Sequence, residues 1–277
     1  MPPEPVHKGS PYPRAKKRLG QHFLIDKNII EKIVAAGSVS EGDYVIEIGP
    51  GTGALTERLL RAGARVLAIE LDAGLAAFLE EKFPGLEVVN RDALKISYAA
   101  LSKERAAKFK VVSNLPYNIS GPILAKFLLE REAFTGLVLM FQKEVAERLV
   151  AGPGTKAYGA LSVFTQTFTD VKREFNVSRN LFTPRPKVDS SVVSMRILSE
   201  PKVEIRDEAF FRTVVKAAFG SRRKTLSNAL KSLGLERDAI SRALQEAGIN
   251  PQRRGETLDP KEFGLLADAL SKVMAEG

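Results

Sequence analysis

Residues Asn114-Leu115-Pro116-Tyr117 set a side-chain amide and an aromatic ring close together, with a proline between them. Proline fixes φ and stiffens the turn. The run before them, Phe109 to Ser113, is apolar and β-branched and predicts a buried strand that ends on this group. An amide oxygen and a neighbouring main-chain carbonyl are two acceptors. Aimed at the hydrogens of an aromatic amine, they favour a pyramidal nitrogen with an exposed lone pair. Such an amine is otherwise a poor nucleophile, because its lone pair is delocalised into the ring. The Asn114 side chain and the Leu115 carbonyl supply the acceptors, and Tyr117 supplies a platform for a base taken out of a stack. This chemistry asks for positioning, with no metal and no strong base. The chain has no cysteine and two histidines, His7 and His22, so a thiolate or His-rich metal site is excluded.

Three further polar groups follow predicted strands. Glu47-x-Gly49-x-Gly51-x-Gly53 joins a strand to a helix. Glycines there permit positive φ and close approach of the backbone to a ligand. The spacing differs from the G-x-G-x-x-G of dinucleotide sites. Glu70 ends the next strand, where a carboxylate accepts from both ribose hydroxyls; Asp72 is an alternative ribose partner. Asp92 follows the third strand. It can accept from an adenine exocyclic amine while Ala93 gives a backbone N–H, or it can cap the helix after it.

These groups need a common edge, and the order of elements predicts one. Helices over Asn28–Gly37, Ala54–Gly63 and Ala73–Phe83 alternate with near-continuous apolar strands. That alternation argues for an α/β fold with a parallel sheet covered on both faces. Ligands of such sheets bind beyond the carboxyl ends of the strands. Two more strands, "DVKREFNVS" and "KVDSSVVSMRIL", bring the count to seven, with the loop "RNLFTPRP" between them. After Pro201 only helical periodicity remains, including a helix "SRRKTLSNAL" that begins on Arg222, Arg223 and Lys224. The expected organisation is a tail over 1–13, disordered on its five prolines, a sheet domain over 14–200 and a small all-α domain over 201–277.

The net charge is +9, from 42 Lys+Arg against 33 Asp+Glu. A polyanionic partner is therefore favoured. The cations cluster at Arg14, Lys16, Lys17 and Arg18, at Arg222–Lys224, and at Arg253–Arg254. Cations at the start of a helix oppose its dipole, which points to an external phosphate. No apolar run reaches the roughly 18 residues of a membrane span, and the N-terminal stretch lacks the apolar core of a secretory signal. A cytoplasmic protein is expected.

The glycine loop resembles the S-adenosylmethionine loop of Rossmann-like methyltransferases. Together "GQHFL", "EIGPGTGALT", Leu67–Leu71, "NLPYNIS", "FTPRPKVDS" and "AFGSRRKTLSNAL" resemble the ribosomal RNA adenine dimethyltransferase family over about residues 14–270. Within the family the chain looks most like the bacterial small-subunit enzymes, which dimethylate N6 of two adjacent adenosines near the 3′ end of 16S rRNA. The resemblance implies a Rossmann-like, seven-stranded methyltransferase domain and S-adenosylmethionine as donor. It implies that His22, Leu24, Gly49, Gly51, Glu70, Asp92, Ala93 and Asn114 form the cofactor pocket, with His22 standing where Asn is often found. It also implies that Phe182 is a second aromatic bracketing the base opposite Tyr117. The expected partner is small-subunit rRNA in a 30S-type particle, bound by a monomer. A large-subunit (23S) rRNA methyltransferase, a DNA adenine or glutamine-amide methyltransferase, and an assembly factor with little catalysis are the alternatives.

Overall fold

The structure is a computed structural model that describes Lys16 and residues 20–275. The tail expected over 1–13 lies outside the described residues, as do Arg14, Lys17 and Arg18. The chain forms two compact units, one up to Ala146 and over Lys172–Ile197, the other over Glu147–Val171 and from Leu198 onward.

The first unit opens with β1 (Phe23–Leu24) and α1 (Lys27–Ala36). Four strand–helix pairs follow: β2 (Tyr44–Ile48) and α2 (Ala54–Arg61), β3 (Arg65–Glu70) and α3 (Ala73–Lys82), β4 (Glu87–Asn90) and α4 (Tyr98–Glu104), β5 (Phe109–Asn114) and α5 (Ser120–Leu129). β6 (Phe134–Gln142) runs into α6 (Lys143–Val150) and α7 (Ala160–Phe168). Then come β7 (Thr169–Val177), β8 (Phe182–Thr183) and β9 (Ser190–Ile197).

Seven strands form one sheet in the order β4-β3-β2-β5-β6-β9-β7. The pairs from β4 to β6 are parallel, and β9 runs antiparallel to β6. Both faces are covered, which is why Val45, Ile46, Val111 and Val112 are completely buried and the strands read as unbroken apolar runs. Each helix turns one stripe inward. In α1, Ile30 and Ile33 are buried while Glu31 and Lys32 are exposed, and the Asp26 side chain caps the helix by accepting from Ile29 N–H at 2.9 Å. Each such aliphatic side chain contributes about 1.5–3 kcal/mol on burial.

From β2 the chain winds one way through β3 and β4, then returns to lay β5 on the other side of β2. The carboxyl ends of β2 and β5 thus flank the switch point of the sheet, where α/β folds open a crevice.

The second unit is helical. α8 (Glu208–Phe219), α9 (Leu226–Ala229), α10 (Arg237–Glu246) and α11 (Pro260–Ala275) bury Phe211, Leu226, Ile240, Leu244, Phe263, Leu266 and Leu270 in one core. Two expectations need correction. The boundary at Pro201 is incomplete, because residues 147–171 also belong to this unit. Phe164 of α7 meets Phe211 edge-on at 6.3 Å, and Tyr158 meets Phe219 at 5.9 Å, so α7 completes the helical core. The helix expected to begin on Arg222 begins only at Leu226 and has four residues. Residues 221–224 form a turn closed by Lys224 N–H to the Ser221 carbonyl at 3.1 Å, so the dipole argument does not apply to these cations.

Candidate active site

A cavity opens in the first unit at the carboxyl ends of β2, β3, β4 and β5. His22, Leu24, Gly49, Gly51, Glu70, Asp92, Ala93 and Asn114 all line it, as do Leu115, Pro116 and Tyr117. Sequence positions nearly a hundred residues apart meet because parallel strands deliver their ends to one edge.

The glycine loop is shaped by contact as well as by φ. Gly49 has φ +64°, and a Cβ there would lie 3.0 Å from the Pro116 ring. Gly51 has φ +59°, and its Cβ would lie 2.8 Å from Phe23. The loop therefore fits against the Asn-Leu-Pro-Tyr turn on one side and β1 on the other, with bare backbone toward the cavity. Gly49 N–H donates to the Ile69 carbonyl at 2.8 Å, which ties the loop to β3.

Glu70 is buried and takes the Asp72 amide at 2.9 Å and the Gly51 amide at 3.4 Å. Burial pushes its carboxyl pKa up, against the pull of those amides. A carboxylate has about four acceptor sites, so two backbone bonds leave capacity for a diol. Asp72, the alternative ribose partner, is otherwise engaged. It caps α3 through the Gly74 amide at 2.9 Å and pairs with Lys16 at 2.8 Å. Burial would raise its pKa, but Lys16 and the amides prevail and hold it below the usual carboxylate range. Lys16, expected to track RNA, is thus bound to this acid. Asp92 has the capping role and also stands at the cavity. One oxygen caps the short 3₁₀ turn after it by accepting from Leu94 N–H at 2.9 Å, and the residue still lines the cavity.

Among the lining residues that the sequence does not single out, two bear on the chemistry. Leu71, between two acids, is a large apolar side chain 55% exposed at the cavity wall, where a flat apolar ligand face would cover it. Its only signal was an apolar residue directly after a strand-end acid. Glu47, the first residue of the glycine motif, is buried. Its carboxyl is pushed up to about 8, chiefly by burial, with Thr56 opposing and Glu70 adding to the shift. Its Oε2 accepts from the Thr56 hydroxyl at 2.6 Å.

On the acceptor side, Ser113 donates to the Ile48 carbonyl at 2.6 Å and locks the end of β5 to that of β2. Asn114 Nδ2 donates to the His22 carbonyl at 3.2 Å. That bond fixes the nitrogen end of the amide and leaves Oδ1 as the acceptor. The His22 ring lies 5.5 Å from the Tyr117 ring, and its Nδ1 donates to the Pro184 carbonyl at 2.7 Å. The Tyr117 hydroxyl shares a 2.6 Å hydrogen bond with Ser190 at the start of β9. Burial raises the Tyr117 pKa, with Asp189 adding to it.

Phe182 does not join this group. It forms β8, pairs with Leu24 of β1, and is 3% exposed in the core that contains Leu24, Ile30 and Val192. A stacking platform needs an open face, so the expected second bracket is a core residue here. Arg222 is likewise occupied: its guanidinium holds the Lys156 carbonyl at 2.6 Å and Glu256 at 3.2 Å. Arg223 and Lys224 are exposed, with no ion pair among the described residues.

A glycine loop along the cavity, strand-end carboxylates at Glu70 and Asp92, and a crevice at the switch point fit S-adenosylmethionine. They define a Rossmann-like, S-adenosylmethionine-dependent methyltransferase. A profile of the family described as "Ribosomal RNA adenine dimethylase" matches residues 13–272, and the chain belongs to that family. It is 48% identical over 263 residues to a Geobacter metallireducens protein named ribosomal RNA small subunit methyltransferase A, covering 93% of this chain and 96% of that one. The protein of the same name from Clostridium botulinum is 44% identical over 261 residues, covering 93% and 94%. Among solved structures, a dimethyladenosine transferase from Plasmodium falciparum superposes with a TM-score of 0.75 at 28% identity, over 91% of this chain and 98% of that one. The 23S rRNA methyltransferase ErmE superposes at 0.67 with 27% identity, over 90% and 99%. The chain is an rRNA adenine dimethyltransferase that draws its methyl groups from S-adenosylmethionine.

Proposed function

We propose that this enzyme converts two adjacent adenosines near the 3′ end of small-subunit (16S) rRNA to N6,N6-dimethyladenosine. It acts on a small-subunit assembly particle, as a monomer in the cytoplasm. The observation that carries this reading is the Asn114 amide, oriented by its bond to the His22 carbonyl at the switch point of the sheet. The full-length likeness to proteins named for the small subunit supports that choice over the large subunit.

Bound S-adenosylmethionine supplies a methyl group already activated on a sulfonium. What remains for the chain is positioning. Glu70 holds the ribose hydroxyls, Asp92 and the Ala93 N–H hold the adenine edge, and the bare backbone at Gly49 and Gly51 admits the methionine end. His22 and Leu24 close that end. The target base leaves its stack and rests on Tyr117. Asn114 Oδ1 and the Leu115 carbonyl accept from the two N6 hydrogens before the first transfer, one of them accepts from the single hydrogen left before the second, and Pro116 keeps the two acceptors in register. The displaced proton goes to water. Arg14, Lys17, Arg18, Arg223 and Lys224 draw in the RNA backbone, so binding falls steeply with salt. Lys16 and Arg222 are spent on Asp72 and Glu256 and contribute less.

The test is direct. Purified protein is incubated with unmethylated small-subunit particles and labelled donor, and the modified positions are mapped by primer extension. Two adjacent dimethylated adenosines near the 3′ end are expected. Label confined to 23S rRNA, DNA or protein contradicts the reading.

A further inference from the structure

Residues 178–190 carry three cations, Arg179, Arg185 and Lys187, against one acid, Asp189. The segment is fastened to the acceptor side of the cavity at two points. His22 Nδ1 bonds the Pro184 carbonyl at 2.7 Å, and Ser190 bonds the Tyr117 hydroxyl at 2.6 Å. Both His22 and Tyr117 line the cavity. Everything between Pro184 and Ser190 therefore lies beside the place where a base would rest.

The segment is also shaped from within. Arg179 Nη1 holds the Lys187 carbonyl at 2.9 Å, and the Arg179 amide donates to Asp189 Oδ1 at 3.0 Å. The acid is thus engaged by the backbone, and Arg179 is spent on the fold of the turn. Arg185 and Lys187 are exposed, with no ion-pair partner among the described residues. Lys143, exposed at the end of β6, adjoins them, because its amide donates to the Asp189 carbonyl at 3.0 Å. Unpaired cations held on a fixed turn next to a base-binding cavity suit an anionic strand that enters it. Phosphate contacts set register and orientation without reading sequence.

We infer that the Pro184–Ser190 turn is a rest for the RNA backbone, with Arg185 and Lys187 taking phosphates that flank the acceptor adenosine. The inference builds on the rRNA reading above. It assigns the positioning of the target strand to the methyltransferase unit itself, rather than only to the N-terminal cations and the helical unit.

The experiment compares wild type, the double variant Arg185→Ala/Lys187→Ala, and a control, Lys103→Ala/Lys108→Ala. The control removes the same charge near the amino end of β5, the opposite edge of the sheet. Affinity for unmethylated small-subunit particles is measured from low to moderate salt, with donor affinity and the particle KM alongside. The expected result for the Arg185/Lys187 variant is a raised KM, unchanged donor affinity, and a log–log salt slope shallower by roughly 1.5, since each lost phosphate contact removes about 0.7–0.9. The control should keep the wild-type slope. An unchanged slope in the Arg185/Lys187 variant, or an equal drop in the control, overturns the inference. Failure of the rRNA reading itself shows separately, as wild type that does not methylate the particle.

Discussion

The two sides of the cavity are built differently. On the donor side, Gly49 and Gly51 follow β2, Glu70 ends β3 and Asp92 follows β4, and Glu70 is held by the Asp72 and Gly51 amides. On the acceptor side, Asn114 is oriented by His22, His22 is held by Pro184, and Tyr117 is held by Ser190. Those partners come from the residue before β1, the turn between β8 and β9, and the start of β9. The donor groups sit at strand ends, with the glycine loop packed on Pro116 and Phe23. The acceptor side exists only once distant segments have docked, so it should fail first when the packing beneath it is loosened.

The largest test of that contrast is at Phe182, the core residue that joins β8 to β1. Phe182→Ala should cost about 3–5 kcal/mol of stability, as for large-to-small changes in a core, read as a shift in the denaturant midpoint. Phe182→Leu should recover most of that loss and keep methyl transfer. Good stability with lost transfer in Phe182→Leu would restore Phe182 as a platform for the base. Tyr117 comes next. Tyr117→Ala should raise the KM for RNA by the equivalent of about 1–3 kcal/mol, the worth of one base–aromatic stack. Tyr117→Phe keeps the ring and loses only the Ser190 bond, about 1 kcal/mol of stability, so its KM should stay close to wild type.

The test on the donor side is read without any ligand. Glu47 titrates near 8 in the folded chain against 4.5 as its ordinary value. Between those values the folded state holds one more proton than the unfolded state. Its stabilisation is therefore fully present below pH 4.5 and lost as pH rises toward 8. Between pH 6 and 7 stability should fall by up to about 1.4 kcal/mol from this group. Glu47→Gln should flatten that slope, and an equal slope in the variant would mean that Glu47 is already ionised.

The same contrast explains what the sequence disclosed. The seven strands, the glycine loop, Glu70 and Asp92 were legible because apolar runs and strand-end residues are local patterns that parallel topology gathers at one edge. Asn114 and Tyr117 were legible for the same reason. Phe182 was misplaced because a short strand of two residues pairing with β1 leaves no periodicity. The Arg222–Lys224 turn reads as helix in the sequence because the apolar spacing from Leu226 onward carries no signal for where the helix starts. The helices α6 and α7 have no counterpart in the sequence reading, and the place of residues 147–171 in the second unit depends on ring contacts with Phe211 and Phe219 that no local pattern announces.

The central claim is that the oriented Asn114 amide activates an adenine amine for methyl transfer. Single-turnover methylation of small-subunit particles by Asn114→Ala, with donor and RNA affinities measured on the same protein, tests it most directly. The account predicts a fall in the transfer rate of about 10²–10³-fold, the scale for loss of one preorganised polar contact, with much smaller changes in both affinities. An undiminished transfer rate, or a loss matched entirely by weaker donor binding, would contradict it.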